Sequence, residues 1–250
     1  MRFSYEDLLS GEPIFVEGIG YFRSPRLKEL GSSGIGFSAY NIYIAILSWD
    51  KEEFLKNLPH NHSAIFSKNE SLTLFDMMAI LKLDFRELLR EALSFFMVED
   101  VGWSETESCF VTSSDSKEIG KIDRDNFDKV RSMILQLNFL DLEDNAQPKF
   151  ANAKAKKYWE LEQKFKKEQG KKTSGNKWMR LGNMISKLCA SHSGYTFANI
   201  YDLTVYQLHD QFFQLSHLRS CAVGENAYAT HGGDKFDFQN WLKPVPELLK

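Results

Sequence analysis

The chain has 250 residues, of which 43% are hydrophobic, 26% charged and 14% aromatic, including 20 Phe. That length and apolar content suffice to bury a core without metals or disulfides, and they exclude disorder over the whole chain. Lys and Arg number 31 against 34 Asp and Glu, a net charge of -3, so no global attraction draws the chain to nucleic acid or an anionic membrane.

Cys109, Cys189 and Cys221 are odd in number and widely spaced, without a CxxC pair, which suits free thiols in a reducing compartment. The opening Met1-Arg2-Phe3-Ser4-Tyr5-Glu6-Asp7 places acids where a signal peptide has basic and then apolar residues. The most apolar stretch, 35–49, is interrupted by Ser38, Asn41 and Ser48, and it falls short of the roughly 20 residues that cross a bilayer. The expectation is a cytoplasmic protein with no membrane partner.

In chain order, Ser4 is placed to cap a short helix, with Phe3 and Leu8 as its hydrophobic staple and Gly11 as its end. Residues 13–17 and 21–23, around Gly18-Ile19-Gly20, predict a hairpin that Pro25 stops. The glycines of 31–36 form a loop whose spacing does not make the GxGxxG phosphate cradle. Tyr40, Tyr43, Ile44, Leu47, Phe54 and Leu58 recur at helical spacing over 37–58, where Asp50 and Glu53 start a second segment and Pro59 ends it.

Leu83-Asp84-Phe85-Arg86-Glu87-Leu88 predicts a helix capped by Asp84 and running to about Met97. Residues 98–101, 109–112 and 118–122 read as short strands that join the early hairpin in one small antiparallel sheet. Asp123 is placed to cap a helix to Asn138, stapled by Ile122 and Phe127.

From 149 to 172 there are nine Lys and three Glu, with Ala151, Ala155, Tyr158, Leu161 and Phe165 along one face, so this stretch reads as a basic amphipathic helix. Residues 170–175 read as a flexible joint and 176–191 as a helix. Thr204-Val205-Tyr206-Gln207 predicts a capping box, with Leu203 and Leu208 as staple, opening a helix to about Arg219. Beyond it, Tyr228, Phe236, Phe238 and Trp241 occur without helical period, as in a segment strapped across a core, and Pro244 and Pro246 suggest an extended tail.

These elements give an α+β fold, predominantly α-helical with a small antiparallel β-sheet. Residues 1–147 form an α+β part and 148–250 a helical part.

The chemistry is sparse. His217 and Cys221 stand at helical spacing, with His209 or His231 as further ligands, but half of the usual structural zinc pattern is missing. His60 and His62 sit in a turn. GxSxG is absent. Asp76 and Glu87 suit acid-base work in type, yet both fall at helix starts, where the helix dipole accounts for them. The expectation is no enzyme and no cofactor. The basic stretch 149–172, with Tyr158, Trp159 and Phe165, has the make-up to track phosphates and stack on bases, but its aromatics fall on the apolar face, which favours a solvated basic helix.

Leu74-Phe75-Asp76, Glu91-Ala92-Leu93-Ser94-Phe95-Phe96, Asn126-Phe127-Asp128 with Ile134-Leu135-Gln136-Leu137-Asn138, and Asp202-Leu203-Thr204-Val205-Tyr206-Gln207-Leu208 carry a resemblance that spans about 72–241. Together they resemble tail-module proteins of long-tailed phages of Gram-positive bacteria, the tail assembly chaperones. The resemblance implies a non-enzymatic role in the bacterial host cytoplasm, holding the tape measure protein while tail-tube protein assembles around it. Such a chaperone receives amphipathic helices in a groove, and the aromatic surplus suits that. Here the hairpin and strands depart from a mostly helical family pattern, which leaves open a structural tail or baseplate component. Leu203, Tyr206, Phe212 and Phe213 are the candidate partner-binding residues, and self-association into a homo-oligomer stays open.

Overall fold

The computed structural model describes residues 2–31, 33–58, 71–80, 83–140, 180–232, 237 and 239–244. The basic stretch 149–172, the glycine joint 170–175, Pro59, His60, His62, Pro148, Phe236, Phe238 and Pro246 lie outside the described residues. The protein is α+β and predominantly helical, with one two-stranded and one three-stranded antiparallel sheet. The chain divides into two units: Met1–Leu142 with Tyr201–Gln207, and Glu143–Ile200 with Leu208–Lys250.

In the first unit, α1 (Tyr5–Ser10) begins at Ser4, whose hydroxyl accepts the Asp7 N–H at 3.0 Å, and ends at Gly11 with φ 69°. β1 (Ile14–Val16) and β2 (Gly20–Phe22) pair antiparallel as the glycine turn predicts. β3 (Asp100–Ser104), β4 (Cys109–Ser114) and β5 (Lys117–Ile122) form a meander. Between β4 and β5, Asp115 and Ser116 both take positive φ, 49° and 65°, the two-residue turn whose twist matches the flanking strands.

The hairpin and the meander are two sheets rather than the one expected. They touch through single bonds: the Lys121 N–H donates to the Gly18 carbonyl at 3.0 Å, and the Thr112 hydroxyl donates to the Ile19 carbonyl at 2.6 Å. Gly120 permits this approach, since a Cβ there would stand 2.3 Å from the Gly18 carbonyl oxygen. On its other side the hairpin meets the end of α4 (Leu83–Phe96), where Arg23 donates to the Phe96 carbonyl and Val98 donates to that of Tyr21. Val98 is therefore outside the strand predicted for it.

The helices follow the predicted segments with changed caps. α2 (Gly36–Ser48) is followed by α3 (Lys51–Asn57), where Asp50 and Glu53 form the expected capping box. Asp84 falls inside the first turn of α4 rather than at its cap. Asp123 does not cap α5 (Phe127–Leu137) either. Its carboxylate accepts the N–H groups of Asp125 and Asn126, while Asn126 bonds back to the Asp123 N–H, which makes a turn ahead of the helix. A carboxylate can satisfy a turn as well as a helix end, and the two uses look alike in sequence.

Aromatic side chains fill the core of this unit. Phe22, Phe54, Phe75, Phe96, Phe110 and Phe127 are all below 2% exposed. Phe75 meets Phe127 at 5.2 Å, Phe110 at 6.1 Å and Trp103 at 6.4 Å between ring centroids, within the range of favourable edge and tilted contacts. Much of the aromatic surplus is thus spent on packing and not on a partner groove.

Two buried arginines satisfy helix ends. Arg131 of α5 donates from Nε to the Leu47 carbonyl at 2.7 Å and also bonds the Trp49 carbonyl, closing the C-terminus of α2. Arg86 of α4 donates to the Ala79 and Ile80 carbonyls, at 2.6 and 3.2 Å, at the end of a π-helical turn (Asp76–Ile80), and its guanidinium lies 4.3 Å from the Trp103 ring centroid. Carbonyls at a helix end have no partner within the helix, and a planar cation that also stacks on a ring suits that place.

In the second unit, α6 (Leu181–Ser191) buries Met184, Ile185 and Leu188 along one stripe. Residues 176–179 of the predicted helix lie outside the described residues. The helix that opens in the first unit, α7 (Val205–His231), continues here from Leu208 and runs to His231 instead of ending near Arg219. Gly232 ends it with φ 70°, its N–H bonded to the Tyr228 carbonyl.

Candidate partner-binding surface

The entry to α7 is built as predicted. Thr204 and Gln207 form a reciprocal capping box, with the Thr204 N–H donating to Gln207 Oε1 at 2.9 Å and the Gln207 N–H to Thr204 Oγ1 at 3.2 Å. Gln207 Nε2 also donates to the Leu9 carbonyl. The Leu203 carbonyl accepts the Leu27 N–H and the Pro25 carbonyl accepts the Val205 N–H, both at 2.9 Å, while Lys28 pairs with Asp202 at 2.9 Å. Residues 201–207 are in this way stitched to the segment that follows the first hairpin.

The four expected partner residues divide. Leu203 is half-buried. Tyr206 is 5% exposed, its ring 5.2 Å from that of Phe139, so in this chain it packs inside the first unit. Phe212 and Phe213 belong to the second unit, half-buried, with centroids 6.1 Å apart.

Within the second unit burial, and after it the charge of the buried Asp210, raises the Tyr195 phenol above its ordinary pKa. Burial also pushes the His209 imidazole down to about 4, so it is neutral at pH 7.

On the C-terminal half of α7 three apolar side chains reach solvent. Leu218, Val223 and Tyr228 are 46%, 69% and 36% exposed. After the helix a 3-10 turn (Asn240–Leu242) adds Trp241 and Leu242, at 49% and 60%. His217 and Cys221 hold this turn to the helix: His217 Nε2 lies 2.8 Å from the Asn240 carbonyl oxygen, and Asn240 Nδ2 lies 3.6 Å from Cys221 Sγ. The carbonyl is only an acceptor, so Nε2 carries the proton.

His217 and Cys221, expected at one helix face, do meet, with Nε2 and Sγ 3.7 Å apart, but they serve this clasp. Among the described residues no group of three or more His, Cys, Asp or Glu is placed to hold a metal ion. Asp76 and Glu87 do not form an acid pair. Asp76 is tied to Thr73 and Arg124, and Glu87 to Arg90 at 2.9 Å. No helix among the described residues is long and apolar enough to cross a membrane.

Sequence reading missed Val223 because residues 222–231 have no buried face, and therefore no apolar period to detect. Ala222, Ala227 and Ala229 were the available signal, through helix propensity.

Fold and surface together define an α+β protein whose second unit is a helical module with exposed apolar side chains. Residues 167–245, just under a third of the chain, match the family model described as the YomV second domain, a phage-type domain. The match includes α6, the 201–207 segment, α7 and the Asn240–Leu242 turn. Comparison with curated proteins and with solved structures returned no match.

Proposed function

We propose that the chain is a non-enzymatic protein-binding factor of bacteriophage tail assembly, chaperoning the tape measure protein in the host cytoplasm while tail-tube protein assembles. The observation that carries this reading is the set of exposed apolar side chains on α7 and the clasped turn, Leu218, Val223, Trp241 and Leu242, inside the stretch that matches a phage-type domain. Apolar and aromatic anchors of this kind are what a partner helix buries on docking. Phe212 and Phe213, half-buried on the same helix, are further candidates for the contact.

The test is a tagged pull-down from cells expressing the phage gene cluster, with bound proteins identified by mass spectrometry and a nuclease-treated sample in parallel. Nuclease-resistant recovery of a long helical tape measure protein, lost in a Leu218→Glu, Val223→Glu variant that still folds, supports the reading. Recovery of nucleic-acid-dependent material alone overturns it, and so does recovery of the chain only as a permanent part of purified tails, which identifies a structural component.

A further inference from the structure

The first unit carries an aromatic surface that the reading of α7 does not use. Phe15 and Tyr21 stand opposite each other across β1 and β2, with ring centroids 4.9 Å apart, and are 51% and 43% exposed. The Tyr21 carbonyl accepts the Val98 N–H at 3.0 Å, which brings Val98, 55% exposed, alongside. Val16 and Phe22, on the opposite face, are buried. A hairpin with one face in the core ordinarily turns polar side chains outward, and here the outward pair is aromatic.

The unpaired charge next to these residues in the sequence has one sign. Glu12 and Glu17 flank Phe15 in sequence, and Asp100 follows Val98 by two residues; all three are exposed, and none forms an ion pair with a described residue. No Lys or Arg occurs from residue 3 to residue 22. The neighbouring cations are already engaged, Arg23 with Glu29, and Lys121 with Glu107 and Glu118.

We propose that Phe15, Tyr21 and Val98, with Glu12, Glu17 and Asp100 around them, form a docking surface for a Lys- or Arg-bearing segment of a protein partner. The ring faces attract cations, and the free carboxylates supply complementary charge. The same carboxylates repel phosphates and anionic lipid, and a second copy docked on the same surface would set like charges against one another. β1 is only three residues long and follows Pro13, features that guard a strand edge, so the contact is through the side-chain face and not through strand addition.

The test titrates the full-length chain into a fluorescent peptide of alternating Lys and Leu, with Glu-Leu and Ser-Leu peptides beside it, at low and physiological salt. The Lys peptide is expected to bind, with affinity reduced about tenfold by Phe15→Ser, Tyr21→Ser and, separately, by Glu12→Lys, Glu17→Lys. Asp125→Lys, which reverses an exposed acid elsewhere on the unit, should leave it unchanged. Circular dichroism and melting temperature establish that each variant folds. Equal loss in Asp125→Lys would reduce the effect to net charge and overturn the proposal. So would absence of binding, equal binding of the Glu peptide, or a dimer that Phe15→Ser, Tyr21→Ser abolishes. Hairpin binding is independent of α7: Leu218→Glu, Val223→Glu should leave it intact, so the two surfaces fail separately.

Discussion

Asp76 and Arg124 are 48 residues apart in sequence and meet with Arg124 Nη2 2.7 Å from Asp76 Oδ1. The carboxylate is 1% exposed and its second oxygen accepts both the Thr73 N–H, at 2.7 Å, and the Thr73 hydroxyl, at 2.8 Å. Burial opposes its charge, but the bonds from Thr73 and Arg124 outweigh burial and hold its pKa below the ordinary value. Asp76 in this way caps a helical turn and links it to the loop before α5.

Asp76→Ala is therefore expected to destabilise the protein by about 1–3 kcal/mol, because the half-buried Thr73 N–H loses its partner and Arg124 its counter-charge. Arg124→Ala, with the arginine side chain 56% exposed, should cost about 1 kcal/mol or less. Urea denaturation of the two variants checks the order. Since the folded pKa is depressed, the stabilisation from Asp76 is present above the unfolded value near 4 and is lost as pH falls through the lower folded value.

Arg131 is buried beside an exposed partner, Asp128, whose side chain is 84% exposed. Replacing Arg131 with Met should cost about 2–4 kcal/mol, since the Leu47 and Trp49 carbonyls at the end of α2 lose their donors. Asp128→Ala should change stability by less than about 0.5 kcal/mol. Equal losses in the two variants, measured by thermal melting, would show that the ion pair and not the helix cap is what matters.

His209 predicts a second pH effect in a different window. Its folded pKa, about 4, lies below the unfolded value near 6.5. Between these values the unfolded chain takes up a proton that the folded one refuses, so stability falls as pH drops from about 6.5 towards 4, by at most about 2 kcal/mol at pH 5. His209→Gln should flatten the slope of the urea midpoint between pH 7 and pH 5. A wild-type slope retained in that variant would assign the effect to other groups.

Tyr206 and Val223 separate core from surface on one helix. Tyr206→Ala should lower stability by about 3 kcal/mol, since the side chain is buried against Phe139. Val223→Glu, at a site 69% exposed, should stay within about 0.5 kcal/mol of the parent. If Val223 contributes to the partner surface, the second variant loses complex formation at an unchanged melting temperature, measured on the same preparation.

Local chemistry was legible without tertiary information. Ser4 with Asp7, Asp50 with Glu53, and Thr204 with Gln207 form the helix starts that their spacing predicts, because each motif closes within four residues and needs nothing from the rest of the chain. The hairpin at Gly18-Ile19-Gly20 and the overall α+β, mainly helical character follow for the same reason. Tertiary structure alone decided which like residues do which work. Asp123 serves a turn and Asp76 an ion pair, while Arg86 and Arg131 close helix ends reached across the core. Phe22, Phe75 and Phe127 pack inside, yet Phe15 and Val223 face water. Burial depends on partners that are distant in sequence, so neither the length of α7 nor its exposed side chains could be read from apolar periodicity, which records only a face that something else covers.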